Sequence, residues 1–293
     1  RFYQKFLHDL EYLNKDEYSK KLINQGMILG NSAFIFRESG SNKYISSNLI
    51  SDNEVDKVRI DIKYVKDDNQ VDYNLLKLED SDFKNSTFKL ENNVFYCIRE
   101  QEKMSKSKFN VVNPDEICDK YGADTLRMYE MFLGPIEQSK PWDTRGISGV
   151  HSFLKKFWSL FFKDGLFNVS EEEPSKESLK SLHKTIKKIT EDIEKLSLNT
   201  CISSFMICIN ELSLIGCNNR EILEELLILI SPFSPHFAEE LWSQLGHKES
   251  IVDQNYPEFN ENYLVETQKL YPVSFNGKTK FTINLPIDLS NKE

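Results

Sequence analysis

Lys103-Met104-Ser105-Lys106-Ser107 carries the strongest chemical suggestion in this sequence. Two lysines three apart among small hydroxyl residues make a mobile cationic loop suited to a polyphosphate, because a lysine ammonium acts as a point charge for phosphate oxygens. Ser105 and Ser107 can add hydrogen-bond donors. When a carboxylate attacks the α-phosphorus of ATP, negative charge builds on the phosphorus oxygens and on the departing pyrophosphate. Such a reaction needs positioning and cations, not a protein nucleophile. Taken alone, five residues of this kind also suit a plain solvated loop, so the flanking sequence has to decide.

Other residues offer less. Lys180, Lys184, Lys187 and Lys188 fall close together on one helical segment and form a cationic patch, for which a solvated helix face is the plain alternative. His236 follows a proline at a helix start and reads as a capping or packing residue. Asp124 and Arg127, three apart on one helix, read as a structural ion pair. Trp142, Trp158 and Trp242 read as fillers of a core or a domain junction. Cys201 and Cys208 lie on the apolar side of their helix.

The elements that must position the loop change period along the chain. Residues 1–24 carry two helical patterns, with Gly26 where a residue just past a helix end belongs, and Met27-Ile28-Leu29 reads as a short strand. Val58, Ile60, Ile62 and Tyr64 alternate with charged residues as in a half-buried strand, and Asp67-Asp68-Asn69 reads as a turn. Thr87–Leu90 and Val94–Ile98 flank Glu91-Asn92-Asn93 as a hairpin. After the lysine loop, Asn113, Pro114 and Glu116 predict a helix start with a capping box; Gly122 closes that helix, and Asp124 can cap the next, Thr125–Leu133. Residues 144–246 read as helical throughout. Leu179, Leu182, Ile186, Ile189, Ile193 and Leu196 form the stripe of a bundle helix, Ile222–Ile230 predicts a buried one, and Ser234 caps a last one beginning at Pro235. Near the end, Asn276-Gly277 between apolar residues predicts a hairpin with a type I′ turn, which reads as the beginning of a further module.

Composition sets the frame. The 293 residues suffice for two or three domains, and 39% hydrophobic with 28% charged residues is an ordinary globular balance. The net charge of −9 argues against a general affinity for nucleic acid, though a local patch can differ. No apolar run is long enough to span a bilayer, and the N-terminal residues lack the features of a signal peptide. The five cysteines are scattered without a Cys-x-x-Cys pair, which argues against a disulfide framework or a zinc knuckle and for a reducing cytoplasm. The chain begins with Arg1, not Met, which suggests a fragment.

Beyond these readings, Lys103–Ser107 resembles the second signature of class I aminoacyl-tRNA synthetases. Asn110-Val111-Val112-Asn113-Pro114-Asp115 and Tyr121-Gly122-Ala123-Asp124-Thr125-Leu126-Arg127 extend the match. Glu130-Met131-Phe132-Leu133-Gly134-Pro135 and Ser139-Lys140-Pro141-Trp142 are similar to the leucyl branch rather than its isoleucyl, valyl or methionyl relatives, with a spelling close to enzymes of Bacteroidota. Ser231–His236 with Ala238–Trp242 resembles the bundle motif of these relatives, and Leu22–Met27 the entry to the later half of the leucyl catalytic domain. The resemblance implies a multidomain protein: the C-terminal part of a Rossmann-type α/β catalytic domain with a β-rich insertion, an all-α anticodon-binding-type bundle, then the start of a small α/β or β module. It implies boundaries at 1–37 for the end of the catalytic domain, 38–99 for the insertion and 100–144 for the signature loop and helical junction. The bundle takes 145–250, and 251–293 a linker and the start of a C-terminal domain.

The implied activity is ATP-dependent ligation of leucine to tRNA(Leu) through a leucyl-adenylate, with Mg2+, by a cytoplasmic and commonly monomeric enzyme. Lys103 and Lys106 would contact ATP phosphates within the loop Lys103, Met104, Ser105, Lys106, Ser107, and Lys106 would meet the transition-state charge. Trp142, Lys184, Lys187 and Lys188 are candidates for tRNA contact. The His-x-Gly-His signature of the class is not found among the five histidines, so the isolated chain is expected not to activate leucine. Two alternatives stay open: a catalytically silent tRNA-binding module on the same scaffold, and a synthetase for valine, isoleucine or methionine.

Overall fold

The computed structural model describes residues 1–50, 54–66, 68–264, 268–275 and 278–286. Chain order gives α1 (Phe2–Asp9), β1 (Ile28–Glu38), β2 (Lys43–Ile45), β3 (Val55–Ile60), α2 (Tyr73–Glu79), β4 (Thr87–Lys89), β5 (Ile98–Lys103), α3 (Pro114–Tyr121), α4 (Ala123–Phe132) and β6 (Lys140–Pro141). There follow α5 (Ile147–Trp158), β7 (Phe162–Lys163), β8 (Leu166–Phe167), α6 (Lys176–Glu194), α7 (Leu198–Leu214), α8 (Arg220–Ile230), α9 (Pro235–Gln244), β9 (Gln268–Phe275) and β10 (Lys278–Pro286). Contacts divide the chain into two units, Arg1–Glu116 with Leu133–Thr144 and Ile117–Phe132 with Arg145–Glu293.

The first unit is organised by β1. One edge of this strand pairs antiparallel with β5 over residues 29–34 and then with β2 at Phe36 and Arg37. The other edge pairs parallel with β6 at Ile28 and Leu29 and then antiparallel with β3 over residues 33–38. Alternate residues of β1, Ala33 and Ile35, enter a core with Ile60, Tyr64, Leu76, Phe83, Phe95 and Cys97, as the period of two requires. Phe34, on the opposite face, lies under Lys57 and Arg59 at 3.9 and 4.5 Å.

Several expectations change here. Of a parallel Rossmann-type sheet, the described residues build only the short β1/β6 and β2/β4 pairings; the β1 pairings with β2, β3 and β5 are antiparallel. The four-residue link from β1 to β2 suits an antiparallel pair, whereas the parallel β2/β4 and β1/β6 neighbours are reached only by long crossovers. The sheet runs through residues 37/38 and 99/100. The second N-terminal helix is not formed: Glu11, at φ 63, ends α1, and the segment folds back so that Glu17 pairs with Arg1 and Gln4 donates to the Lys15 carbonyl. Gly26 is not a helix-end residue. Its N–H donates to the Ile136 carbonyl, and a Cβ there would lie 2.1 Å from the Gln138 carbonyl carbon. The Asn92-Asn93 turn is present, both residues at positive φ, and closes a single antiparallel bridge between Glu91 and Val94; beyond that bridge the flanks separate, and β4 pairs with β2. The alternation from Val58 ends as strand at Ile60, and Ile62–Tyr64 is a 3-10 turn. Asp67 lies outside the described residues, while Asn69 beside it takes φ 66.

The second unit is helical, with one short β7/β8 pairing inside the expected helical run. The α6 stripe buries Leu182, Ile186 and Ile189, α7 buries Cys201, Ile202, Phe205, Cys208, Ile209 and Leu212, and α8 is sunk almost entirely. Ser175 and Asn219 cap α6 and α8 by accepting from Ser178 and Ile222 N–H at 3.1 and 3.2 Å. The expected Ser234 cap of α9 does not form: its hydroxyl is buried without a partner among the described residues. Asp124 of α4 takes the place, accepting from the Phe237 N–H at 2.6 Å and pairing with His236 Nδ1 at 2.9 Å. Asp124 therefore neither caps its own helix nor pairs with Arg127, whose guanidinium donates to the Pro232 carbonyl. β9 and β10 form the expected terminal hairpin; its Asn276-Gly277 turn lies outside the described residues.

Candidate functional site

Lys103 is the last residue of β5, so the cationic loop starts as a continuation of the sheet rather than as a free polar loop. From Ser105 the chain turns through a 3-10 segment, Lys106–Lys108, and reverses at Phe109, which sits in the left-handed region at φ 50. Lys108 N–H donates to the Ser105 carbonyl and Phe109 N–H to that of Lys106, closing the turn on itself.

The turn is held from below by Asn110, 2% exposed. Its Oδ1 accepts from the Ser105 N–H at 2.9 Å. Its Nδ2 donates to the Ser32 hydroxyl of β1 at 2.9 Å and, more weakly, to the Lys103 carbonyl at 3.4 Å. An N–H can only donate and a carbonyl can only accept, so these partners fix the orientation of the amide. Gly30 makes room beneath it, since a Cβ there would lie 2.3 Å from the Asn110 carbonyl oxygen.

Charge is sorted around the same turn. Glu102 accepts from Arg59 at 2.6 Å and lies 3.2 Å from Lys108. The Arg59 hydrogen bond, then those of Ser32 and Lys108, hold its carboxyl down at about 2. Lys108 is thereby occupied. Lys103 and Lys106 are exposed and make no ion pair among the described residues. Ser105 and Ser107 hydroxyls lie 2.9 Å apart, so one donates to the other and a single hydroxyl proton is left for a ligand, where two were expected. Met104 is half-buried. Sequence reading found the five loop residues; it missed Asn110, Glu102, Lys108 and Gly30 as their supports, although Asn110 stands only three residues past Ser107.

The second candidate patch is on α6. Lys184 is exposed with no ion pair among the described residues. Lys187 lies 3.8 Å from Glu261 and 5.3 Å from the Phe259 ring centroid, and Lys188 pairs with the buried Asp192 at 2.5 Å. All three line a cavity of about 360 Å³ with Ile207, Glu211 and Leu264. Trp142 does not suit the expected tRNA contact: it is 8% exposed, and its indole N–H donates to Thr144 at 2.9 Å. Among the described residues no group of three or more His, Cys, Asp or Glu side chains is placed to hold a metal ion, and no helix is long and apolar enough to cross a membrane.

Two parts of the chain match known protein families. Residues 91–143, which include the lysine turn with Glu102, Lys108 and Asn110, match the family of class I tRNA synthetases (I, L, M and V), and residues 175–293 match the anticodon-binding domain of tRNA ligase. The chain is also similar over its whole length to leucine–tRNA ligases. The ligase of Flavobacterium psychrophilum is 59% identical over 293 residues, which is 99% of this chain and 30% of that one. The ligase of Christiangramia forsetii is 56% identical over 100% of this chain and 30% of its own length. The chain thus spans about a third of the relatives it matches. A crystal structure of the ternary complex of Agrobacterium radiobacter K84 agnB2 LeuRS with tRNA and LeuAMS shares the fold, at a TM-score of 0.59 and 22% identity, over 99% of this chain and 31% of that one.

Proposed function

We propose that this chain is part of a leucine–tRNA ligase, and that Lys103 and Lys106 bind the phosphates of ATP while leucine is activated for transfer to tRNA(Leu). The observation that carries the reading is the sorting of charge on the turn. Of its three lysines, Lys108 is committed to Glu102, whereas Lys103 and Lys106 stay unpaired at the end of a strand and on a turn held from below. Two free ammonium groups on a braced backbone are what a departing pyrophosphate needs, since charge stabilisation depends on donors that do not have to reorganise. Lys106, on the turn itself, is assigned to the charge that develops in the transition state, and Lys103 to ground-state binding. No residue of this chain is assigned to Mg2+.

Lys184, Lys187 and Lys188 of α6 are proposed as the tRNA-facing patch, supported by the anticodon-binding family match over the same helix. Lys184 is the foremost of the three, because Lys187 and Lys188 have acidic neighbours in the protein. The buried Trp142 is not part of this reading.

The test is leucine-dependent ATP–pyrophosphate exchange by the full reading frame, wild type beside Lys106→Ala. Exchange with leucine, and not with valine or isoleucine, is expected to fall at least about tenfold in the variant, equivalent to about 1.4 kcal/mol of barrier. Full exchange by the variant would remove Lys106 from the reaction. No exchange with any amino acid by the wild type would favour a silent tRNA-binding module.

A further inference from the structure

We propose that Asn110 is the positioning residue of the Lys103–Ser107 turn, tying the backbone that carries the two free lysines to strand β1; the proposal rests on the nucleotide reading given above.

The chemistry of the amide is specific to this place. It must accept from one backbone group, the Ser105 N–H, and donate to another, the Lys103 carbonyl, while a second N–H reaches Ser32. A carboxylate has no donor for the carbonyl, and a hydroxyl cannot reach on both sides, so only asparagine at this length meets all three partners. The three atoms joined lie on either side of Met104 and on a different strand. Fixing them sets the direction in which the chain leaves β5, and with it the origin of the Lys106 side chain. Ser32 is fully buried and Asn110 nearly so, which makes the tether stiff and shields it from competing water.

A second observation points the same way. β1 carries glycine at position 30, and a Cβ there would collide with the Asn110 backbone carbonyl at 2.3 Å and press on the Met104 Cγ at 3.0 Å. The strand is therefore relieved of side-chain bulk where the Asn110 backbone and Met104 press on it. Asn110 touches no phosphate in this account. It acts through the lysines, and its removal leaves their charge in place but their geometry loose.

The experiment compares Asn110→Ala, Lys106→Ala and the double variant in the full reading frame, by leucine-dependent pyrophosphate exchange with kcat and KM for ATP resolved. Asn110→Ala is expected to lower kcat about tenfold while KM for ATP moves less than about threefold, because misplacing a charge that acts in the transition state costs rate more than binding. On top of Lys106→Ala, the same change is expected to cost less than about twofold, since a residue acting through Lys106 has nothing left to position. Losses that simply multiply in the double variant would overturn the proposal and leave Asn110 a general structural residue. So would wild-type kcat in Asn110→Ala. Full exchange by Lys106→Ala would instead overturn the reading of the loop itself, and the two failures are told apart by which single variant is silent. Should Asn110→Ala not fold, Ser32→Ala removes one tether together with the Ser32 hydrogen bond to Glu102 and is held to the same non-multiplying pattern with Lys106→Ala, while multiplying losses would overturn the proposal.

Discussion

Replacing Asp124 by alanine should loosen α9 by about 2–3 kcal/mol. The figure follows from its partners. Asp124 is 8% exposed and accepts from the Phe237 N–H, one of the unpaired amides at the start of α9, at 2.6 Å. A hydrogen bond to a charged group contributes about 1.5–3 kcal/mol, and a carboxylate at a helix N-terminus gains about 0.3–1 kcal/mol more from the aligned peptide dipoles. The contact with His236 adds little, because that imidazole is 78% exposed and even a charged pair so exposed is worth at most about 1 kcal/mol. Amide hydrogen exchange across α9 in the 293-residue chain reads the effect locally, and a loss of about 2 kcal/mol appears as roughly thirtyfold faster exchange. Asp124→Asn keeps a neutral acceptor and should lose about half as much. The structure also supplies the means of refutation. Ser234 stands at the N-cap with its hydroxyl buried and unpartnered among the described residues. If Asp124→Ala costs less than about 0.5 kcal/mol even beside Ser234→Ala, which removes the hydroxyl able to turn and cap the helix, the assignment to Asp124 is wrong.

Two further expectations concern the first unit. Glu102 has its carboxyl lowered from the ordinary 4.5 to about 2, chiefly by Arg59, so its charged form favours the folded state. That contribution is complete above pH 4.5 and is lost as pH falls through about 2; carbon-13 titration of the carboxyl should show a midpoint below 3, and a midpoint near 4.5 would refute the Arg59 pairing. Gly26→Ala forces a Cβ to within 2.1 Å of the Gln138 backbone and should destabilise the unit by about 1–3 kcal/mol, measured by urea unfolding, with an unchanged midpoint refuting the close approach.

The parts of this structure that follow from local pattern were legible. Leu182, Ile186 and Ile189 repeat at helical spacing and are buried together; Asn113 accepts from the Asp115 N–H at 3.1 Å ahead of Pro114, as a helix start should. The lysine loop was legible as chemistry because residue types alone suggest a phosphate ligand. Its supports were not. Asn110 is a single polar residue with no period, and its buried partner Ser32 lies 78 residues away. Asp124 reads as serving its own helix, while the amide it caps is 113 residues distant. β5 escaped as a strand because Arg99-Glu100-Gln101-Glu102 is charged on both faces; the structure leaves the strand half-exposed, so no apolar alternation marks it. In each case the missing information is a long-range partner, which spacing along the chain does not encode.

The interleaving of the two units bears on how the polypeptide comes off the ribosome. β1 finds its β6 neighbour only when Lys140 and Pro141 have been made, after α4 of the other unit. The first unit therefore cannot close as soon as its own first 116 residues emerge. It has to wait with one edge of β1 open at Ile28 and Leu29 while a helix destined for its neighbour is synthesised. Exposed strand edges invite pairing with other chains, so this interval is the vulnerable stage of biosynthesis. For the same reason no single cleavage yields both units whole: a cut after Glu116 deprives the first of Leu133–Thr144, and a cut after Thr144 deprives the second of α4.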